Sequence, residues 1–581
     1  MAKQPRFDST AYKEGLRAQI DRSSLTYSDW AIRNFRHPKN GNIPWSFQDH
    51  EFQIEIINCG DSVPVVWVTK CAQVGLSTLQ IVSALTFCAV HDYLKSAYVL
   101  PTAKFATEFS AMRIDPMIAS SPTVSSLMSP DTDNTGMKKI GTCFLVMRGT
   151  SGESQAISVD LDCLLIDEFN FCVQKTLSSF SSRLQHSLLK LRRNFSTPTL
   201  PDFGVSAGFL GSSQGFRAVH CNHCSTWVIP DFFNDVVIPG FDKPLSLFRA
   251  SDYSHPGVAE SYLSCPSCHR ELTTDLLNDP QHREWVHKFP NRDERGYQVM
   301  PWDVPKYNPI PEILLDIKNY TYQDWCNFRL GLPHESEENS INLETVKRNC
   351  VLRPILLDEL LRGSVLGVFI GSDLGKTNHY MVGVHNPVTG TLDVVHVNTM
   401  TVSELLETRG DPAYGPFLKD LHTTCWSYRT VLDHAPSWEP ALYLHQQLPE
   451  GKSYGAYYVK SDRKSGSLDI YNFNNTKGSV NIDRNNHFDD VVNAVNTGKI
   501  RFPFLDAPHI ETMLSHFKVL KKVKETNSKG QMEETWTSTS TEDHFAHALG
   551  YLWCAYSSVE ARFNLNPVRL LPTPGKVKLK S

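Results

Sequence analysis

Residues 63–90 hold an apolar run, a short polar loop and a second apolar run, which together predict a strand, a turn and a helix. The strand is expected at Val63–Val68 and the helix at Leu79–Val90. The loop between them reads Lys70-Cys-Ala-Gln-Val-Gly-Leu-Ser-Thr78. A loop at the start of a helix presents free backbone N–H groups to phosphates, and a Ser or Thr there can hold Mg²⁺. The segment is therefore a candidate nucleotide-binding loop.

A second segment, Leu161–Glu168, predicts a buried strand that ends in two carboxylates. Asp167 could orient magnesium and Glu168 could activate an attacking water, so the two segments together predict an ATPase. The loop departs from the usual phosphate-loop pattern, because Leu76 stands where a lysine is expected and the only lysine is Lys70. Taken alone, each segment also fits an ordinary strand or strand–turn–helix without special function.

The length and charge of the chain limit the class of protein. A chain of 581 residues suggests about three or four domains. Its 57 basic and 62 acidic residues give a net charge of −5, so nucleic-acid binding has to come from local basic patches. Candidate patches contain Arg183, Lys190, Arg192 and Arg193, then Lys518, Lys521, Lys522 and Lys524, and in the tail Lys576, Lys578 and Lys580.

The start of the chain is polar and lacks the apolar core of a signal peptide, and no run approaches the roughly 18 apolar residues of a membrane helix. We therefore expect a soluble intracellular protein with mostly reduced cysteines.

Four of the 14 cysteines form two C-x-x-C pairs, Cys221/Cys224 and Cys265/Cys268. Two such pairs on one chain are typical of a tetrahedral zinc site. His220, His223 and His269 lie beside them and are alternative ligands. A redox role or a chance pattern is the alternative, and a structural zinc that holds together a small lobe is the expectation.

The rest of the first half alternates short apolar runs with helical patterns, which predicts a parallel sheet with crossover helices. Besides the two strands above, strands are expected at Ser96–Leu100, Cys143–Met147 and Leu191–Phe195.

A new domain is expected after residue 355, with apolar strands at Val365–Ser372, Met381–His385, Leu392–Val397 and Tyr428–Asp433. Asp373 and Asp433 end two of these strands, and Asp543 lies at the start of a last helix. Clustered carboxylates bind hard divalent cations, and two such ions can cut a phosphodiester. Each of these aspartates, taken singly, could instead cap a strand or a helix.

In this order, the motifs resemble those of phage large terminase subunits, the DNA-packaging motors of tailed bacteriophages, and in particular the lambda-like type. Lys70–Thr78 is similar to the family's deviant phosphate loop, whose lysine lies at the loop start. Trp45-Ser-Phe-Gln48 resembles the adenine-reading segment, and Tyr98-Val-Leu-Pro-Thr102 resembles the motif after the second strand. Phe195-Ser-Thr-Pro-Thr199 resembles the coupling motif, and Phe328-Arg-Leu-Gly-Leu-Pro333 the end of the motor half. The nucleotide-binding residues that the resemblance implies are Gln48, Lys70, Gln73, Gly75, Ser77, Thr78 and Asp167, with Glu168 catalytic and Ser196, Thr197, Pro198 and Thr199 coupling.

The resemblance also implies a ribonuclease H-like nuclease in the second half, with Asp373, Asp433 and Asp543 as catalytic ligands of Mg²⁺ or Mn²⁺. Two departures stand out. Gln73 occupies a position that is often arginine, so another arginine, from this chain or a neighbouring subunit, has to supply that charge. His547 occupies a position that is often aspartate, which leaves His544 and His547 as possible partners of Asp543.

The domains implied are an N-terminal arm (1–40), a P-loop ATPase core (41–210), a zinc-binding insert (211–280), a helical subdomain or linker (281–355), the nuclease (356–560) and a basic tail (561–581). The implied function is ATP-driven translocation of double-stranded DNA into a procapsid and metal-dependent cutting of concatemeric DNA. The implied cofactors are ATP, Mg²⁺ or Mn²⁺, and Zn²⁺. The implied partners are DNA, a small terminase subunit, the portal protein and further copies of the chain in a ring. The implied location is the host cytoplasm, transiently on the procapsid, with no membrane contact and no place in the virion.

Two other interpretations are open. A superfamily 2 helicase or translocase with an appended nuclease shares the ATPase motifs, but needs a second helicase lobe with its own arginine motif. A zinc-ribbon nucleic-acid binding module with inactive ATPase motifs is favoured by Gln73 and by the missing loop lysine.

Overall fold

The structure, a computed structural model, describes residues 25–156, 160–336, 339–350, 367–435, 437–459, 470–527 and 531–560. The chain divides into two compact units, Met1–Glu335 with Lys524–Glu533, and Ser336–Val523 with Glu534–Ser581. The predicted basic tail and most of the predicted N-terminal arm lie outside the described residues. Within the described residues, no helix is both long and apolar enough to cross a membrane.

The first unit is built on a large mixed sheet. Its strands, with two small separate pairs, are β1 (Arg36–His37), β2 (Asn40–Pro44), β3 (Val65–Lys70), β4 (Lys95–Leu100), β5 (Met128–Asn134), β6 (Met137–Ile140), β7 (Cys143–Gly149), β8 (Cys163–Asp167), β9 (Leu191–Ser196), β10 (Gly215–His220), β11 (Trp227–Val228), β12 (Val236–Val237), β13 (Tyr262–Leu263), β14 (Arg283–His287) and β15 (Arg295–Val299).

The main sheet has the order β11-β10-β15-β3-β9-β8-β4-β7-β6-β5, with β14 paired to β10. The strands from β10 to β7 run parallel, and antiparallel strands flank them. Its central strands are apolar on both faces. On β3, Val66 and Val68 belong to one core cluster and Trp67 to another. A continuous apolar run is what a parallel strand needs when helices cover both faces of its sheet.

Helices surround this sheet. They are α1 (Tyr27–Asn34), α2 (Gln53–Asn58), α3 (Leu76–Val90), α4 (Ala103–Phe109), α5 (Asp115–Ser120), α6 (Pro122–Ser126), α7 (Gln174–Ser182), α8 (Gly204–Gly211), α9 (Phe232–Asp235), α10 (Thr274–Asn278), α11 (Ile310–Leu315) and α12 (Tyr322–Asp324). Two stretches of π-helix, Ser110–Ile114 and Trp325–Leu330, continue α4 and α12. α3 is apolar nearly all round and lies in the core beside β3.

The second unit contains a mixed sheet of order β21-β22-β20-β19-β16-β17-β18-β23. The strands of this sheet are β16 (Val368–Asp373), β17 (Thr377–Asn386), β18 (Thr391–Thr401), β19 (Ser427–Asp433), β20 (Ser453–Val459), β21 (Tyr471–Asn474), β22 (Ser479–Asp483) and β23 (Ile500–Arg501). A separate pair, β24 (Leu520–Thr526) and β25 (Met532–Ser538), has residues assigned to both units. The helices are α13 (Leu343–Arg348), α14 (Val402–Arg409), α15 (Tyr414–Thr424), α16 (Glu439–Gln447), α17 (Arg484–Asn496), α18 (Ile510–Val519) and α19 (His544–Ser557).

The centre of this second sheet has the ribonuclease H-like arrangement. β16, β17 and β18 form an antiparallel meander, and β19 and β20 follow parallel to β16 on its other side. α19 packs across β16 at very close range. A Cβ atom added to Gly371 would lie 2.2 Å from the backbone oxygen of Ala548, so only glycine lets the helix approach this strand so closely.

The predicted strands and helices of both sheets are confirmed, with ends that differ by a few residues. Part of the predicted Val365–Ser372 strand lies outside the described residues. One boundary differs more. The segment 281–355, expected to be helical, contains β14 and β15, and β15 lies in the main sheet between β10 and β3. The sequence did not predict these two strands, because neither is a long apolar run and prolines lie close to both.

The basic patches predicted for nucleic acid are largely used within the fold. Arg193 is 3% exposed and donates to the carbonyl oxygens of Gly60 and Pro64. Lys521 is buried, and Lys522 pairs with Asp489. The clustering of basic residues in the sequence did not show which of their side chains are buried or paired and which are exposed to solvent.

Candidate functional sites

The loop between β3 and α3 borders a cavity of about 520 Å³. Gly75 caps α3 with φ 79°, and Gln73 also has a positive φ of 62°. Left-handed residues turn the loop sharply, so that the free N–H groups at the start of the helix face the cavity. Lys70, Gln73, Gly75, Ser77 and Glu168 all line it, as the sequence predicted for a nucleotide site.

Lys70 and Glu168 form an ion pair inside this cavity, with 3.0 Å between Nζ and Oε1. They end β3 and β8, which are separated by β9, so a distance of about 9.5 Å between strands has to be bridged. The long side chain of Lys70 spans the width of β9 to reach Glu168. Burial opposes the positive charge of Lys70, but Glu168 and Asp167 outweigh it and raise the pKa of the lysine.

Asp167 lies beside this pair and is 1% exposed. The Tyr98 hydroxyl donates to its Oδ2 at 3.1 Å, and the backbone N–H of Glu168 donates to its Oδ1 at 3.1 Å. Burial is the main cause that raises the pKa of this carboxyl, and Lys70 opposes the shift. A hydrogen bond with the Ser77 side chain also opposes the rise in the pKa of Asp167. A carboxylate and a hydroxyl are hard oxygen donors, which fit Mg²⁺.

Arg113 also lines the cavity, although the sequence analysis did not single it out. It lies in the π-helical stretch Ser110–Ile114, and its Nη2 donates to the Thr78 Oγ1 at 2.9 Å. Phe328, from the second π-helical stretch, borders the same cavity. Both irregular turns thus face one site, as is frequent for π-bulges at functional positions.

Asn170 connects the predicted coupling segment to the chain just after Glu168. The backbone N–H of Asn170 donates to Ser196 Oγ at 3.1 Å, and its side-chain amide donates to Thr199 Oγ1 at 2.8 Å. Thr197 lines the cavity. The carbonyl oxygens of Pro198 and Thr199 accept from the Asn327 amide. Asn170, two residues after Glu168, therefore joins this carboxylate region to the segment 196–199, and Asn327 joins the same segment to the π-helical stretch Trp325–Leu330. The sequence indicated neither asparagine.

The predicted end of the motor half packs directly on the loop. The backbone N–H of Ala72 donates to the carbonyl oxygen of Phe328 at 2.7 Å. The ring of Phe328 stacks with that of Phe171, at 6.1 Å between centroids.

Gln48 does not join this group of residues. Gln48 is exposed, and it is not one of the described residues that line the cavity. Gln53, five residues later, donates instead to the carbonyl oxygen of Val74 at 3.1 Å. The adenine contact of Gln48 stays a prediction.

The four predicted zinc ligands meet at one point. Cys221 and Cys268 Sγ atoms lie 3.8 Å apart, and those of Cys224 and Cys265 lie 3.9 Å apart. A tetrahedral zinc with Zn–S bonds of about 2.3 Å needs Sγ atoms about 3.8 Å apart, so the four thiols fit this ion. His220, His223 and His269 are not part of the cluster that the described residues form.

Each cysteine pair is held by the same tight turn. The N–H of Ser225 donates to the carbonyl oxygen of Cys221, and that of His269 donates to the carbonyl oxygen of Cys265. Ser225 and His269 both have positive φ values, 56° and 58°.

In the second unit, Asp373 and Asp433 end neighbouring parallel strands. Ser372 on β16 is paired with Leu432 on β19, so the following aspartates emerge at the same edge of the sheet. Asp373 is 6% exposed. Burial raises the pKa of Asp433 to about 6, and the negative charge of Asp373 adds to the shift.

Two histidines complete a cluster with Asp373. His544, at the start of α19, donates from Nδ1 to Asp373 Oδ2 at 2.8 Å. His379 faces Asp373 across the β16–β17 hairpin, where the two residues are register partners. Ligand atoms of Asp373, His379 and His544 all lie within 4.8 Å of one another.

Asp543 lies beside this cluster but is held by other partners. It precedes α19 and accepts from His547 Nε2 at 3.0 Å and from the Ser538 hydroxyl. Burial alone would raise its pKa, but the hydrogen bond and charge of His547 lower it to about 2. Among the described residues, Asp433 and Asp543 are not members of the three-residue cluster, and His379, which the sequence did not single out, is. The sequence feature that could have indicated His379 is the short turn after Asp373, which pairs the two residues across the β16–β17 hairpin.

Comparison with known proteins gives one family match. Residues 40–277 match the model of the phage terminase large subunit gpA, ATPase domain. No curated protein matches.

The solved structures that are similar to this chain at low identity include three large-terminase structures. The large terminase of bacteriophage HK97 has 10% identity and a TM-score of 0.47, covering 93% of this chain and 99% of its own. The large terminase of a thermophilic bacteriophage has 9% identity and a TM-score of 0.30, covering 88% and 99%. The large terminase nuclease of a second thermophilic phage, G20c, has 16% identity and a TM-score of 0.21, covering 36% and 94%.

Because all three TM-scores are low, the assignment depends on the sequence match. The matched range contains the loop, the carboxylate pair, the coupling segment and all four clustered cysteines. Residues 40–277 therefore belong to the family of phage terminase large subunit ATPase domains, as the resemblance of their motifs indicated.

Proposed function

We propose that the chain is a large terminase subunit that couples ATP hydrolysis to movement of double-stranded DNA and cuts that DNA with its second unit. The observation that carries the proposal is the cavity where Lys70, Asp167 and Glu168 meet the phosphate-type loop. The family match over residues 40–277 supports the ATPase half. The carboxylate-bearing ribonuclease H-like sheet supports the nuclease half.

In the first unit, the loop N–H groups and Lys70 would bind the phosphates of ATP. Ser77 and Asp167 would hold Mg²⁺, which neutralises phosphate charge when bound. Glu168 would orient the attacking water. Because Lys70 is paired with Glu168 in the structure, phosphate binding would draw the lysine away and release the carboxylate. Loss of the γ-phosphate would then reach Ser196–Thr199 through Asn170.

Replacing Glu168 with Gln tests the water-positioning role. We expect ATP turnover to fall by about 10²–10⁴-fold, as is typical when a general base is removed. Nucleotide binding should persist, because Lys70 remains free to contact phosphate. Turnover by the full chain and binding of a fluorescent ATP analogue are the two measurements.

Asp162→Asn is the matched control, since Asp162 precedes the same strand β8 at its opposite end. It should leave turnover unchanged. Wild-type turnover in Glu168→Gln would reject the water-positioning role of Glu168. No turnover by the unmodified chain, with its partners present, would instead favour a binding module with inactive ATPase motifs.

Arg113 would supply the positive charge that Gln73 lacks. It reaches the cavity from a π-helical turn and touches Thr78 in the first turn of α3. In this role it would stabilise charge that develops on the phosphates during hydrolysis.

Replacing Arg113 with Ala should lower kcat for ATP by about 100-fold or more, with a smaller change in KM, because a charge that acts on the developing transition state is lost. Arg113→Lys should recover part of the loss. Lys104→Ala, an exposed basic residue of α4 paired with Glu108, is the control. An unchanged kcat in Arg113→Ala would mean that the charge comes from elsewhere, such as a neighbouring subunit.

Zinc would bind Cys221, Cys224, Cys265 and Cys268 and hold together the lobe between β10 and β14. Each cysteine pair is presented by a tight turn, and the helices and strands of the lobe between β10 and β14 are all short. A structural zinc in such a lobe contributes directly to its folding.

The purified chain should contain one zinc ion, measured by elemental analysis. The Cys268→Ser variant should contain no zinc, because a ligand of the tetrahedral site is gone. Its thermal unfolding should begin at a lower temperature than that of the wild type, because the zinc-binding lobe is less stable without the ion. Cys350→Ser is the control, because Cys350 has a similar partial exposure outside the cluster. Retention of zinc in Cys268→Ser, with loss in His269→Ala, would reassign the ligands.

In the second unit, Asp373, Asp433 and Asp543 would hold the divalent ions of DNA cleavage. They lie at one edge of the sheet, at the ends of β16 and β19 and before α19. Hard oxygen ligands suit Mg²⁺ or Mn²⁺, which activate water and stabilise the leaving oxygen when bound.

Asp373→Ala in the full chain should reduce cutting of supercoiled plasmid by roughly 100-fold or more, since the metal ions contribute several kcal/mol to such reactions. Assays with Mg²⁺ and with Mn²⁺, with and without ATP, cover the expected cofactors. Asp411→Asn, in a loop before α15, should cut normally. If the wild-type chain fails to cut under every condition, the nuclease half of the proposal is wrong.

DNA contacts would be mainly to phosphates and therefore sensitive to salt. A small terminase subunit would then choose the cut site, a portal protein would anchor the motor, and several copies of the chain would form the ring, acting in the host cytoplasm. The helicase alternative would need a second helicase lobe. The described strands of the second unit instead form an antiparallel meander that continues into parallel strands.

A further inference from the structure

The cluster at the end of β16 differs from an all-carboxylate nuclease site. Its three members are Asp373, His379 and His544, so two of the three ligand atoms are imidazole nitrogens. Asp433 and Asp543 stand outside it, and Asp543 is already engaged by His547 and Ser538. The inference below rests on the proposed nuclease function and concerns which ion that site prefers.

His379 has the orientation of a metal-binding histidine. Its Nδ1 lies 3.2 Å from the carbonyl oxygen of Thr377, which can only accept, so Nδ1 carries the proton. This fixes the tautomer in which Nε2 has a free lone pair. A backbone carbonyl on the other ring nitrogen is the usual support of a histidine ligand.

The surrounding packing holds this ring in place. The ring of His379 stacks on that of His544, with 4.6 Å between centroids and 15° between planes. Phe545 contacts it edge-on at 4.8 Å. His379 is 8% exposed, so its ring is fixed before any ion arrives.

The distances allow one ion to be shared. Ligands on opposite sides of an ion with bonds of about 2.1 Å are about 4.2 Å apart. The three ligand atoms lie within 4.8 Å of one another, which is close enough for small side-chain adjustments to bring them to one ion. The proton that His544 Nδ1 donates to Asp373 would leave to solvent when the ion binds.

We propose that His379 is a metal ligand at the nuclease site, and that the His379–His544 pair makes this site prefer a first-row transition metal ion over Mg²⁺. Imidazole nitrogen binds Co²⁺, Ni²⁺ and Zn²⁺ well, whereas Mg²⁺ selects oxygen ligands and keeps its waters. Affinity at a mixed nitrogen and oxygen site rises from Mn²⁺ to Co²⁺ and Ni²⁺.

Calorimetric titration of the zinc-loaded full chain with Co²⁺, in the presence of excess Mg²⁺, tests this. The wild type should bind about one Co²⁺ that Mg²⁺ does not displace. His379→Ala should weaken Co²⁺ binding by at least about tenfold, as expected for loss of a ligand or its support. Asp373→Ala should abolish it. Cobalt that entered the cysteine cluster would reveal itself by strong thiolate absorption.

His422→Ala is the matched control. His422 is 6% exposed in the same unit, and its ring contacts Thr430 instead of the cluster. It should bind Co²⁺ as the wild type does, and thermal unfolding of both variants checks that they fold.

Equal Co²⁺ affinity in His379→Ala and wild type, or easy displacement by Mg²⁺, would overturn the inference. Either result would leave plasmid cutting by the wild type, and its loss in Asp373→Ala, untouched. Failure of the metal preference is thus distinguishable from failure of the nuclease function.

Discussion

The ion pair between Lys70 and Glu168 is the interaction around which the first unit is organised. Two strand ends that are not neighbours are joined across β9, and the Lys70 side chain is 7% exposed while that of Glu168 is 28% exposed. Breaking a buried pair by removing one partner is costly, because it leaves a charge without compensation. The sheet order, the loop and the segment after β9 must all be correct for the pair to form. A phosphate group is the natural competitor for this lysine.

The coupling segment depends on the same strand order. β9 lies between the loop strand and the carboxylate strand, so Ser196 emerges between Lys70 and Glu168. Asn170, two residues after Glu168, then bonds both Ser196 and Thr199. A change at the carboxylate can therefore reach this segment through two hydrogen bonds.

In the second unit the comparable constraint is the close contact of α19 with β16. Gly371 allows the helix backbone to lie against the strand, and this contact brings His544 to Asp373. The β16–β17 hairpin adds His379 from the other side. One strand, one turn and one helix start thus place three side chains of metal-ligand type together, although His544 is far from the other two in the sequence.

The sequence by itself determined most of the helices and strands and indicated most of the candidate site residues. Continuous apolar runs identified the buried parallel strands, because both of their faces are covered. The loop at 70–78, the pair Asp167 and Glu168, and the two cysteine pairs were visible because each is a local pattern with a fixed spacing.

Only the tertiary structure decided which distant residues meet. Arg113, Asn170 and Asn327 carry no local signature, and their partners lie many residues away. His379 is near Asp373 in the sequence, but only the docked helix adds His544 to the pair. The physical reason is that local patterns record which surfaces a segment buries, whereas strand order and helix docking fix which side chains share a site.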